Sequence, residues 1–109
     1  MENIERIIDC AARLWSVSRD EVLGERRYAP LPFARAMISY VLKNDYGMTL
    51  MRIGNVLNRT HCSIIYFLKM YEAEYAYNKD FRAKADALRD IDATEFKQEL
   101  EEELNYIMA

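Results

Sequence analysis

The chain is poor in the residues that metal sites, disulfide frameworks and flexible linkers require. Its 109 residues include one histidine, two cysteines, two prolines and three glycines. Cys10 and Cys62 lie far apart with no CxxC partner, which argues against both a zinc cluster and a disulfide framework. Cys10 reads as a small apolar core residue. No G-x-x-x-x-G-K-[ST] loop is present, which excludes the common phosphate-loop route to ATP hydrolysis. No run approaches the roughly 18 apolar residues of a membrane span. The start Met1-Glu2-Asn3 lacks the basic and apolar segments of a signal peptide, so a cytoplasmic protein is expected. The lone histidine and the glutamate-rich end form no recognisable catalytic set, so no enzyme, cofactor or metal is expected.

What is present is charge, unevenly placed. The formal net charge is −3. Residues 1–23 carry −2, residues 24–82 carry +4 and residues 83–109 carry −5. A phosphate-binding face therefore belongs in the middle of the chain. The length suits a single domain burying roughly 60–70% of its unfolded surface.

No segment alternates strictly enough for a strand, and the pattern predicts an all-α domain of five or six helices. Ile4, Ile7, Ile8, Ala11, Leu14 and Trp15 recur at helical spacing over residues 3–15. Ser18 with Glu21 three residues on forms a capping box for a short helix over Arg19–Leu23. Gly24 is placed to end it in a left-handed conformation. A loop with Pro30 and Pro32 leads to a third helix from Phe33 to about Tyr46, apolar round most of its circumference and so expected to be central. Thr49 caps a short helix to Leu57. Asn58-Arg59-Thr60 turns the chain, and Thr60 caps a helix running to about Tyr77. Breaks are expected at Asn78-Lys79-Asp80, with Asp80 as cap, and again at Asp90-Ile91-Asp92-Ala93. The last helix carries a narrow stripe of Phe96, Leu100, Leu104 and Ile107 among glutamates. That stripe either packs on the first helix or mediates contact with a second copy or a protein partner.

A short helix joined by about three residues to a longer one, the second opening on polar groups, describes a helix-turn-helix. Such a motif lays its second helix in the major groove with the N-terminal residues against base edges. Arginine there binds guanine through two hydrogen bonds, and hydroxyls and histidine donate or accept; Arg59, Thr60, His61, Cys62 and Ser63 are the candidates for this chemistry. The free N–H groups at the helix start also suit a phosphate.

The run Ile53-Gly54-Asn55-Val56-Leu57-Asn58-Arg59-Thr60-His61-Cys62-Ser63-Ile64-Ile65-Tyr66 resembles the core motif of the C-terminal DNA-binding domain (domain IV) of the bacterial replication initiator DnaA. That motif reads approximately I-G-x-x-F-G-G-R-D-H-[ST]-T-V-[IL]-H-A, one residue longer at the corner. Val17-Ser18 through Leu23-Gly24 resembles the family's V-S-x-x-D-L-L-G, and Arg35-Ala36-Met37-Ile38 its R-Q-M-A helix. Lys69-Met70-Tyr71-Glu72 and Asp80-Phe81 resemble its tail. The resemblance covers residues 4–88 and implies a helix-turn-helix domain there, of the Trp-repressor-like class, followed by an acidic helical extension at 89–109. It implies double-stranded DNA as partner, in replication or transcription control. Without the family's ATPase module, a stand-alone reader of bacterial or phage origin is expected.

By the same resemblance Arg59, His61 and Ser63 contact DNA. Thr60 stands where the family has aspartate, and Cys62 where it has a hydroxyl residue. Arg26 and Arg27 keep part of a basic loop that reaches the minor groove, while Phe33 stands where an arginine aligns. Arg35, Arg52 and Lys69 flank the corner and are phosphate candidates; Arg35 could equally pair with a carboxylate. Tyr66, Tyr71, Tyr75 and Tyr77 read as core edges, and Glu101, Glu102 and Glu103 as a solvated face. The acidic end is also expected to lower non-specific affinity by repelling phosphate. The competing reading is a protein-interaction module that keeps this fold without DNA binding.

Overall fold

A computed structural model describes the backbone of residues 2–108 and their side chains apart from those of Glu2, Glu95 and Phe96. The element order is α1 (Glu2–Leu14), α2 (Arg19–Leu23), α3 (Leu31–Asn44), α4 (Leu50–Leu57), α5 (His61–Tyr77) and α6 (Lys79–Met108), with no strand among the described residues.

Helix α3 is the axis of the core, as its all-round apolar pattern requires. Leu31, Ala34, Ala36, Met37, Ile38, Val41 and Leu42 are all buried. It begins two residues earlier than the sequence suggests. Pro30 takes the cap position and Pro32 the first turn, where a missing N–H costs nothing, and the N–H of Phe33 donates to the Pro30 carbonyl at 2.9 Å. Its end is set by Gly47 at φ +64°, which lets the Met48 N–H return to the Leu42 carbonyl at 3.0 Å.

An aromatic cluster ties the helices together. Trp15 of α1 meets Phe33 of α3 at 5.3 Å between ring centroids, and Phe33 meets Phe81 of α6 at 5.7 Å. Tyr71 of α5 lies edge-on to Phe81 at 5.4 Å and stacked on Tyr40 of α3 at 3.8 Å. Phe33 is thus half-buried, packed against Trp15 and Phe81.

The second expected break is absent. Residues 79–108 form one helix of 30 residues. Aspartate breaks a helix when its carboxylate competes for nearby backbone groups. The Asp92 carboxylate has tertiary partners instead. It accepts from the Tyr46 hydroxyl at 2.9 Å and lies 3.8 Å from the Arg6 guanidinium. The first break holds, but its cap is Asn78 rather than Asp80. The Asn78 Oδ1 accepts from the Phe81 N–H at 3.1 Å, while Asp80 pairs with Lys84 one turn on at 2.7 Å.

Arg6 of α1 reaches Glu99 at 2.7 Å. Beyond that bond, Leu100, Leu104 and Ile107 are 48–76% exposed, so these residues of the stripe do not pack on α1. The Phe96 side chain, which begins the stripe, lies outside the described residues. No helix among the described residues is long and apolar enough to cross a membrane.

Candidate nucleic-acid interface

The corner between α4 and α5 is built from three local devices. Thr49 caps α4, its hydroxyl accepting from the Arg52 N–H at 3.2 Å. Ile53, Gly54 and Leu57 turn inward and are buried. Gly54 is there because of close approach: a Cβ on it would lie 2.5 Å from the Arg59 carbonyl oxygen. The Arg59 N–H in turn donates to the Gly54 carbonyl at 2.8 Å.

Asn58 then takes the left-handed conformation, φ 57° and ψ 43°. Asparagine tolerates that region better than most residues; here its side chain reaches across the fold, Nδ2 donating to the Leu23 carbonyl at 3.3 Å. Thr60 caps α5, with its hydroxyl accepting from the Ser63 N–H at 3.3 Å. The Thr60 hydroxyl and the Ser63 hydroxyl also lie 3.3 Å apart. Helix geometry leaves the N–H groups of His61 and Cys62 pointing off the end of α5. Both side chains are exposed, with His61 Nε2 3.7 Å from the Cys62 sulfur.

The arginines divide by environment. Arg35 is 1% exposed. Its Nε donates to the Val22 carbonyl at 2.8 Å, and its Nη2 donates to those of Glu21 at 2.9 Å and Gly24 at 3.1 Å. Burial pushes its pKa down to about 10, with the positive charges of Arg59 and Arg27 adding to the shift. It is therefore a structural arginine, taken off the surface that a duplex could touch, and it pairs with carbonyls rather than a carboxylate.

Arg59 is half-buried and folds back over the corner. It donates to the Gly24 carbonyl and to the Asn58 carbonyl at 3.2 Å. Together with Asn58 these two arginines occupy the carbonyls of residues 21–24, which a helix end leaves without intrahelical partners. Gly24 itself is extended, φ −83°, rather than left-handed. Its glycine is explained by space, since a Cβ would lie 2.9 Å from the Asp20 carbonyl.

Arg27, Arg59, Cys62, Ser63 and Tyr66 converge on a cleft of about 450 Å³, floored by Arg35 and Phe67. Arg26 and Lys69 are exposed, outside the residues lining it. A larger depression of about 920 Å³ lies between the end of α3 and α6. Asp45, Asp86, Asp90 and Asp92 line it with Arg89, which pairs with Asp45, so the balance of charge disfavours phosphate. Among the described residues no group of three or more His, Cys, Asp or Glu side chains could hold a metal ion.

Sequence reasoning passed over two residues of this face. Tyr66 is 60% exposed and Ile65 is 39% exposed on the outer side of α5, where the tyrosine had read as a core edge. The signal was available in their register, opposite the buried Ile64, Phe67 and Tyr71. Tyr77 is likewise 90% exposed, whereas Tyr71 is buried.

A model of the bacterial DnaA protein helix-turn-helix matches residues 4–70, which span α1 through the first half of α5. The chain belongs to the bacterial DnaA helix-turn-helix family. Among DnaA relatives, the chromosomal replication initiator protein of Mycoplasma genitalium is 33% identical over 63 residues, 58% of this chain and 14% of that protein. The one from Thermotoga petrophila is 34% identical over 61 residues, 56% of this chain and 14% of that protein. The one from Pseudothermotoga lettingae is 24% identical over 85 residues, 77% and 19%. The chain thus spans less than a fifth of the length of the DnaA proteins it matches. The family model ends at Met70, before α6, whereas the match to the Pseudothermotoga lettingae protein is long enough to reach into the start of α6.

Proposed function

We propose that this chain binds double-stranded DNA, with the start of α5 in the major groove. The observation that carries the reading is the corner itself. It is a capped turn that presents His61, Cys62 and Ser63 at a helix N-terminus, next to Arg27 and Arg59, in a chain of the DnaA helix-turn-helix family. The helix start and the arginines attract phosphate, and the first-turn side chains supply donors and acceptors for base edges.

Within this reading His61 and Ser63 contact bases. Arg26, Arg27 and Lys69 contact phosphates. Thr60 acts chiefly through its cap, and Arg59 links the corner to the backbone of α2. Because Thr60 stands where the family has a carboxylate, the preferred sequence differs from the initiator's. The acidic end of α6 weakens non-specific binding.

Fluorescence anisotropy with random and initiator-box duplexes at two salt concentrations tests the proposal. Binding that weakens steeply with salt supports it. No binding to any duplex at low salt would sink it and leave the protein-interaction reading.

A further inference from the structure

We infer that Ile65 and Tyr66 make the outer face of α5 a reader of thymine, by packing on its 5-methyl group. This rests on the DNA-binding reading above and names the base chemistry of that same face.

One side of α5 faces the core through Ile64, Phe67 and Tyr71. The opposite side carries Cys62, Ile65, Tyr66 and Lys69 at three- and four-residue spacing, all exposed. The first turn of that face is polar or weakly polar. The second turn is apolar: Ile65 has no hydrogen-bonding group, and Tyr66 offers its ring, held edge-on to Phe67 at 5.7 Å between centroids. Lys69 closes the face one turn further on with a charge suited to a phosphate.

A helix lying in the major groove brings its second turn over the base pairs next to those met by its first. The groove edge there presents donors and acceptors, plus one apolar group, the thymine methyl. Ile65 against a cytosine amino group or a guanine acceptor would strip water from a polar atom and return no hydrogen bond, which is unfavourable. Against the methyl it removes apolar surface from water on both sides. The flank of Tyr66 toward the cleft stands beside Arg27 and Arg59. A backbone phosphate held there would keep the methyl-bearing edge in register with the two side chains.

The test begins with selection of a preferred duplex from a random library. Each thymine in it is then replaced singly by deoxyuridine, which removes the 5-methyl group and keeps the pairing. Wild-type protein should lose about threefold to fivefold in affinity at one or two positions, the worth of one buried methyl. Ile65→Ala or Tyr66→Ala should bind the thymine and uracil duplexes equally at those positions. Both sites are exposed and alanine favours helix, so the variants should keep the wild-type circular dichroism.

Unchanged wild-type affinity for every uracil duplex would overturn the inference while leaving DNA binding intact. So would a loss that persists undiminished in both variants, or binding that enriches no sequence. No binding to any duplex would instead remove the DNA-binding reading, and this inference with it.

Discussion

Arg35 and Arg59 sit 24 positions apart in sequence yet donate to the same Gly24 carbonyl. Their difference lies in what surrounds them. Arg35 is buried against the end of α2, so truncating it leaves the Glu21 and Val22 carbonyls without a donor, while Gly24 keeps that of Arg59. Arg35→Met should therefore lower stability by about 3 kcal/mol or more, read as a fall in the urea midpoint. Arg26→Ala should leave that midpoint in place and lower the slope of log affinity against log salt by about one. A sequence-dependent loss for Arg26→Ala would contradict its phosphate role. Gly54→Ala tests the corner directly. Its new Cβ would sit 2.5 Å from the Arg59 carbonyl oxygen, against backbone that cannot swing aside. A loss of about 1–3 kcal/mol or more is expected, as for other overpacked sites.

Among the elements, α6 departs most from expectation. Its length of 30 residues corresponds to roughly 45 Å of helix at 1.5 Å per residue. The molecule measures 50 × 29 × 23 Å along its principal axes, an elongation that α6 accounts for. Its first half is core, with Phe81, Ala85 and Leu88 buried. Its far end from residue 97 is exposed throughout. Removal of residues 100–109 should leave the thermal midpoint within about 2 °C, because few contacts are lost. It should also raise affinity for random duplex at low salt, since Glu101, Glu102 and Glu103 go with it. An unchanged affinity would remove the electrostatic role of the tail. Removal of residues 90–109 is a different experiment, because Asp92 goes too, together with its bonds to Tyr46 and Arg6. That truncation should lower stability measurably.

At the scale of the whole molecule, α1, α3, α5 and α6 are joined by buried and half-buried aromatic rings, some of them titratable. Burial and the Asp92 carboxylate push the Tyr46 phenol up from 10.0 to about 12. Burial, with Tyr40 beside it, pushes Tyr71 up as well. Raised phenol values mean that the unfolded chain releases these protons first. The stability they contribute is therefore complete below pH 10 and is lost as pH rises toward 12. Denaturation midpoints measured across that interval should fall with pH. Tyr46→Phe should flatten the fall while lowering stability at neutral pH by about 1 kcal/mol, one hydrogen bond's worth. A slope unchanged in Tyr46→Phe would assign the alkaline loss to other groups.

The parts of this protein governed by neighbours in sequence were legible from sequence. The capping box at Ser18 and Glu21, the Thr49 and Thr60 caps and the three-residue corner are local hydrogen-bond geometry, which residue types at fixed spacing dictate. The helical class and the central place of α3 followed from apolar periodicity for the same reason. What tertiary structure decided was the assignment of polar groups to partners distant in the chain. Tyr46 and Arg6 engage Asp92 and let α6 run straight through a predicted break. The carbonyl end of α2 captures Arg35 and withdraws it from the candidate interface. Core packing chose which face of α5 looks outward, bringing Ile65 and Tyr66 to the surface. A charge or an aspartate in sequence can be satisfied by water, by its own turn or by a remote group. The choice is made by burial, which only the assembled fold creates.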